Sequence, residues 1–281
     1  MRQGKLRRSK KISTYIASGF IFVLLLYGVL IEPNRIEVKH LEISCANLGS
    51  SLKGKTAVHL SDLHINKVGK REKEILKIID GLNPDFIFLT GDYVKWKGNY
   101  EQALSFLSKL DAPMGVWAVM GEYDYSSSRK SCLFCHEQGT GTLTGQHKIK
   151  FLRNKMEPIS LPNRSAYIRG IEYKIEIDDI FNDNKSFFSE KAPAIILCHN
   201  PLLFDAIDEN QDVLILAGDT HGGQIPLPSW LWNILGYKKN AFYNQGLFCK
   251  GRKMMYVSRG IGFSHLPLRF LRPPELVVLH F

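Results

Sequence analysis

Five apolar runs in this chain stop at acidic or imidazole side chains. KTAVHLS ends at Asp62-Leu63-His64, DFIFLT at Gly91-Asp92, and GVWAVM at Gly121-Glu122-Tyr123-Asp124. PAIILC runs into His199, and DVLILA into Gly218-Asp219-Thr220-His221-Gly222-Gly223. Carboxylates and imidazoles are the side chains that bind divalent cations. A lone D-x-H or G-D says little, because both are common. The set in this order is specific, and a metal site is the economical reading. Cations held there would lower the pKa of a bound water and supply a hydroxide nucleophile at neutral pH.

The elements that carry these residues are legible. RIEVKHLEIS alternates as a strand does, and the five runs above read as buried strands. GKREKEILKIIDGL places Ile75, Ile78, Ile79 and Leu82 at helical spacing, and NYEQALSFLSKL is a second helix. Strands alternate with helices in the first half and dominate near the end, where MMYVSRGIG and ELVVLHF close the chain. The expectation is an α/β fold with at least one largely parallel sheet. Ligands of open α/β sheets bind beyond the carboxyl ends of strands, where all five clusters fall.

From about residue 34 to 281 the chain resembles the calcineurin-like metallophosphoesterases, whose motifs run D-x-H, G-D, G-N-H-D/E, H and G-H-x-H. It is most similar to their membrane-associated bacterial branch, which includes phosphodiesterases and the enzyme that splits UDP-2,3-diacylglucosamine. The terminal VSRGIGFSHLPLRFLRPPELVVLHF also resembles that branch. The resemblance implies a β-sandwich flanked by helices. It implies that Asp62, His64, Asp92 and His221 hold one metal, with Asp92 bridging to a second that also uses Glu122, His199 and Asp219.

Two motifs depart from the pattern. Glu122 and Asp219 stand where the family has neutral ligands, and Tyr123 stands where it has the catalytic histidine. Four carboxylates against two divalent cations leave the site formally near neutral, where the usual pattern leaves about +2. Arg259 and Arg269 are candidates to restore attraction for a phosphate. Oxygen-rich ligation favours Mn²⁺ or Mg²⁺ over Zn²⁺, with iron another option. Tyr123 can donate a proton to the leaving oxygen or simply pack. Its ordinary pKa near 10 makes it a poorer acid, which suits a good leaving group such as the phosphate of a pyrophosphate.

The amino terminus addresses the chain to a membrane. Residues 1–11 carry six basic side chains, and residues 12–31 carry no charge. Twenty helical residues cover about 30 Å, the thickness of a bilayer core. The run is long for a cleaved signal peptide, and no small-x-small cleavage site precedes Glu32-Pro33. The organisation read from this is a basic cytoplasmic tail (1–11), a transmembrane anchor (12–31) and a metallophosphoesterase domain (34–281). Positive-inside bias places the domain on the extracytoplasmic side of an inner cell membrane, crossed once. The net charge of +10 favours anionic partners. Much of it sits in the tail and no nucleic-acid module is present, so nucleic acid is not an expected partner.

Two segments stand outside this pattern. Cys132-Leu133-Phe134-Cys135-His136 matches the C-x-x-C-H of covalent haem attachment, though a local disulfide or redox pair, a metal clip or plain packing also fits. The five cysteines are an odd number and read as no disulfide framework. Pro228 to Lys239 concentrates Trp230, Leu231, Trp232 and Tyr237 beside two lysines, a composition suited to a membrane interface or an apolar lid. The functional expectation is a metal-dependent hydrolase of phosphodiester or pyrophosphate bonds on a lipid-linked or amphiphilic substrate. The alternative is a catalytically altered metal-binding or haem/redox module on the same scaffold.

Overall fold

The computed structural model describes residues 2–43, 46–96, 98–125, 147–161, 164–173, 194–263 and 266–281. The C-x-x-C-H segment lies outside the described residues. Among the described residues twelve strands form two six-stranded sheets. The first has the order β1 (Glu37–Glu42), β12 (Glu275–His280), β2 (Thr56–Leu60), β3 (Phe86–Leu89), β4 (Val116–Ala118), β5 (Ile149–Phe151). All its pairings are parallel except β12 with β2. The second has the order β10 (Gly246–Lys250), β11 (Lys253–Val257), β9 (Val213–Ala217), β8 (Ala194–Leu197), β7 (Arg164–Gly170), β6 (Met156–Leu161). Its central pairs are parallel, and the two outermost, β10–β11 and β6–β7, are antiparallel.

Strand alternation builds the layers. Successive side chains of β3 point to opposite faces. Phe86 and Phe88 join Trp117, Ile195, Leu197, Leu214, Leu216 and Tyr256 in the core between the sheets. Ile87 and Leu89 face the other way, onto Ile75 and Ile79 of α3 (Lys70–Leu82) and Leu104 and Leu107 of α4 (Tyr100–Leu107). On the far face of the second sheet, Ile196, Ile215 and Met255 pack against Leu203 and Phe204 of a short helix, Leu203–Ala206. The result is the expected sandwich with helices on both outer faces.

The capping residues fix where α3 and α4 begin and end. Glu72 accepts a bond from the Gly69 N–H at 2.8 Å at the start of α3, and Asn83 closes it in the left-handed conformation (φ 44°). Asn99 accepts from the Glu101 N–H at 2.8 Å to open α4.

The amino-terminal helix α1 (Arg2–Leu26) continues through a π-helical turn, Tyr27–Ile31, into a single 3₁₀ turn, Glu32–Asn34. Its stretch Lys11–Asn34 is long and apolar enough to cross a membrane. Side chains such as Ile16, Phe20 and Val23 are exposed, as lipid-facing residues would be. Only the end of the stretch packs on the sandwich. The Arg269 N–H donates to Gly28 O at 2.9 Å, the Arg272 N–H donates to Glu32 Oε1 at 2.5 Å, and Tyr27 meets the edge of Phe270.

Candidate metal centre

The loops after β2, β3, β4, β8 and β9 converge at one end of the sandwich, and they are bent to do so. Asp62 (φ 51°), His64 (43°), Asp92 (57°), Asp219 (74°) and His221 (52°) all adopt left-handed backbone conformations. Non-glycine residues rarely do, and such strain collects at functional sites. Neighbouring glycines allow the loops to close. A Cβ on Gly218 would lie 1.9 Å from Ser61 Oγ and 2.4 Å from Asp62 Oδ2, and one on Gly121 would lie 2.2 Å from Asp92 Oδ1. Asp124 ties two loops together by accepting from the N–H groups of Asp92 and Tyr93, both at 2.7 Å, and of Gly121 at 2.9 Å.

Of the seven residues read as ligands, five meet in a buried cluster. His64 Nε2 lies 3.1 Å from His221 Nε2, and His221 Nε2 lies 3.5 Å from Asp62 Oδ1. Asp92 Oδ2 stands 3.5 Å from both His64 Nε2 and His199 Nε2, between the two halves of the cluster. Among the described residues two groups could hold a metal ion: Asp62, His64 and His221, and Asp62, Asp92 and His199. Ligands about 2.1 Å from one ion sit about 3.0–3.5 Å from each other in octahedral or tetrahedral geometry, which is the spacing found. His199 is also oriented for the purpose. Its Nδ1–H donates to Thr90 O at 2.7 Å, which turns Nε2 toward Asp92 Oδ2.

The electrostatics of the protein alone suit a cation. Burial pushes the Asp62 carboxyl up to about 7 despite the pull of His199. Burial lowers His64 to about 4 and His221 well below the usual imidazole range, so both rings offer neutral nitrogens. Burial also acts against charge on His199 and Asp92. Their mutual attraction outweighs it, holding His199 well above its ordinary value and Asp92 below.

Glu122 and Asp219 stand apart from the five, on the wall of an adjoining cavity of about 580 Å³. Glu122 Oε2 accepts from the Tyr173 hydroxyl at 3.2 Å. The Asp219 carboxylate pairs with Lys239, while its N–H donates to Asp62 Oδ2 at 3.0 Å. Tyr123 lines the same cavity; its ring packs edge-on against His64 and Trp96, and its N–H donates to Asp92 Oδ1 at 2.9 Å. Trp232, Tyr237, Lys238, Leu266 and Leu268 complete the walls.

The expectation that Arg259 and Arg269 attract a phosphate is corrected here. Arg259 is neutralised by Glu37 and Glu275. Arg269 is fully buried and donates to the carbonyls of Arg259, Gly260, Gly262 and Arg272, so its charge serves the fold. Two other cations reach the cavity wall, Lys238 and Lys239, and Lys239 pairs there with Asp219 of the altered fifth motif. Asp124 was missed as an organiser, although it is the final residue of the third motif.

The family profile for calcineurin-like phosphoesterase matches residues 55–223, which hold every residue of the cluster. The chain belongs to the calcineurin-like phosphoesterase family. As a member it is a phosphoric ester hydrolase, of a family that uses divalent metal ions. It is 30% identical over 269 residues to the Bacillus subtilis (strain 168) metallophosphoesterase YkuE, covering 90% of this chain and 87% of that one. It is 27% identical over 298 residues to the UDP-2,3-diacylglucosamine pyrophosphatase LpxG of Chlamydia muridarum (strain MoPn / Nigg), covering 89% and 90%. A Danio rerio transmembrane protein with a metallophosphoesterase domain is 26% identical over 299 residues, covering 98% of this phosphoesterase and 66% of the fish protein.

Proposed function

We propose that this phosphoesterase hydrolyses phosphodiester or pyrophosphate bonds of a lipid-linked or amphiphilic substrate with two divalent ions. Asp62, His64 and His221 hold one ion, Asp92 and His199 hold the second with Asp92 between the two, and Glu122 and Asp219 complete the set from the cavity side. The observation that carries this reading is the buried meeting of Asp62, His64, Asp92, His199 and His221. Bound there, the ions polarise phosphoryl oxygens and bring the pKa of water down toward neutrality. The oxygen donors of Glu122 and Asp219 favour Mn²⁺ or Mg²⁺.

The chain's own groups do the rest. Thr90 O fixes the His199 ring, and the Asp219 N–H holds Asp62. Lys238 supplies positive charge at the cavity wall, where an anionic substrate needs it. Tyr123 stands on the wall as the proton donor to the leaving oxygen. Trp232, Leu266 and Leu268 give the cavity an apolar side that accepts a lipid chain. The LpxG relative is named for a nucleotide-linked acylated sugar, which also favours an amphiphilic substrate.

In this reading the chain crosses the cell membrane once through residues 12–31, with the basic tail 1–11 in the cytoplasm. The domain 34–281 lies on the extracytoplasmic side, as the positive charge before the anchor favours. Turnover of bis(p-nitrophenyl) phosphate with Mn²⁺, abolished by Asp92→Ala, is the expected result. Metal-replete protein that turns over no diester or pyrophosphate with any divalent ion overturns the reading.

A further inference from the structure

We propose that the mouth of the cavity is seated in the lipid leaflet from which the anchor emerges, and that the bilayer is the docking partner of an apolar lip formed by Trp230, Ile234, Leu235, Leu266 and Leu271. The inference rests on residues 12–31 spanning a bilayer, not on the hydrolytic reading of the metal centre.

Three observations carry it. First, the membrane exit and the cavity share one segment. Residues 268–272 clamp the end of the anchor through Arg269 to Gly28, Arg272 to Glu32, and Phe270 to Tyr27, while Leu266 and Leu268 line the cavity. Second, that segment is fastened to the loop of the metal centre. Gln224 Nε2 donates to Leu266 O at 3.1 Å and Leu268 O at 2.8 Å, and Arg269 Nη2 lies 3.5 Å from His221 Nδ1. A single side chain therefore separates the anchor's backbone from the buried cluster.

Third, the cavity rim carries large apolar side chains turned to the outside. The helices Ser229–Ile234 and Lys238–Phe242 direct Trp232, Lys238 and Lys239 to the cavity. Trp230 is nevertheless 63% exposed and Ile234 72%, and Leu266 and Leu271 are 66% and 59% exposed. That many large apolar side chains exposed on the elements that line one cavity is unusual for a soluble surface. Beside a bilayer exit, an apolar lip carrying Trp230 next to lysine belongs at the headgroup–acyl boundary. A substrate could then pass from leaflet to cavity without crossing water.

The test uses the full chain in phosphatidylcholine–phosphatidylglycerol vesicles, with lipids brominated near the top of the acyl chains as contact quenchers of tryptophan. The reporter is the emission lost in Trp230→Phe. Bromination is expected to quench most of that contribution, and Ile234→Asp is expected to reduce the quenching while far-UV circular dichroism shows the fold retained. Equal Trp230 emission in brominated and ordinary vesicles overturns the proposal. So does a Trp230 contribution that changes with chain density and not with bromine, which assigns the lip to a second copy of the chain. Neither readout needs turnover, so a silent hydrolysis assay leaves this result standing on its own.

Discussion

His64 Nε2 and His221 Nε2 face each other across 3.1 Å from positions 157 residues apart in the sequence. Both rings are buried and held neutral by that burial, so two lone pairs and the carboxylates of Asp62 and Asp92 converge on one volume. A divalent cation relieves this arrangement. The purified chain is therefore expected to retain close to two divalent ions by elemental analysis, and His221→Ala to lose at least one. Binding to the folded chain alone stabilises it by about 2.7 kcal/mol at a hundredfold excess over Kd. EDTA should thus lower Tm and Mn²⁺ should restore it. Equal melting with and without chelator would sink the expectation.

Asp124 has no place in the cluster itself, yet four backbone N–H groups from two of the site's loops, those of Asp92, Tyr93, Val94 and Gly121, end on its buried carboxylate. Removing the acceptor leaves those donors unpaired, at about 1–3 kcal/mol for each buried group. Asp124→Ala should cost about 3 kcal/mol or more in urea denaturation, and Asp124→Asn, which keeps one acceptor oxygen, should cost less. A loss below about 1 kcal/mol would show that the loops hold their shape without it.

Much of the site was legible because its residues sit at the ends of apolar runs, and the parallel strands β2, β3 and β4 deliver those ends to one edge. Asp62, His64, Asp92, His199 and His221 all lie at such ends, but so do Glu122 and Asp219, and the rule alone does not say which of them meet. Pairing across distance was not legible. Nothing local in the sequence says that Lys239 answers Asp219, or that Tyr173 answers Glu122. Arg269 shows the converse failure. A basic residue near a phosphate site invites an electrostatic role, but burial and five hydrogen bonds to four backbone carbonyls give it a structural one. The place of β12 between β1 and β2, parallel to the first and antiparallel to the second, was also invisible, because strand order depends on contacts between residues far apart in the sequence.

His59 supplies a pH signature. It is fully buried on β2 with Nε2 2.8 Å from Thr90 Oγ1, and burial drives its pKa down to about 3. Unfolded histidine titrates near 6.5. The folded value is the lower one, so the stability tied to neutral His59 is fully present above about pH 6.5 and is lost as pH falls toward 3. One proton taken up on unfolding gives a slope of about 1.4 kcal/mol per pH unit. In urea denaturation between about pH 6 and pH 4, the wild-type chain should lose stability more steeply than His59→Gln by that slope. The comparison cancels the titration of the metal-centre residues, which both proteins share. Parallel curves would mean that His59 takes up no proton on unfolding.

Tyr123 offers the sharpest separation of packing from chemistry. Its ring contacts His64 and Trp96, its N–H holds Asp92 Oδ1, and it lines the cavity. Tyr123→Phe keeps the ring and the backbone bond and removes only the hydroxyl. If that hydroxyl protonates the leaving oxygen, its loss matters most where the leaving group is a strong base. For an alkyl phosphodiester kcat should fall about 100-fold, the lower range of general-acid catalysis, while a p-nitrophenyl diester should lose only a few-fold. A pyrophosphate substrate, whose leaving group is already stable as an anion, should behave like the p-nitrophenyl ester. An equal drop for both classes of leaving group would assign Tyr123 to packing and move the search for the proton donor to Lys239 and the hydroxyl of Tyr173, which stand beside the same cavity and centre.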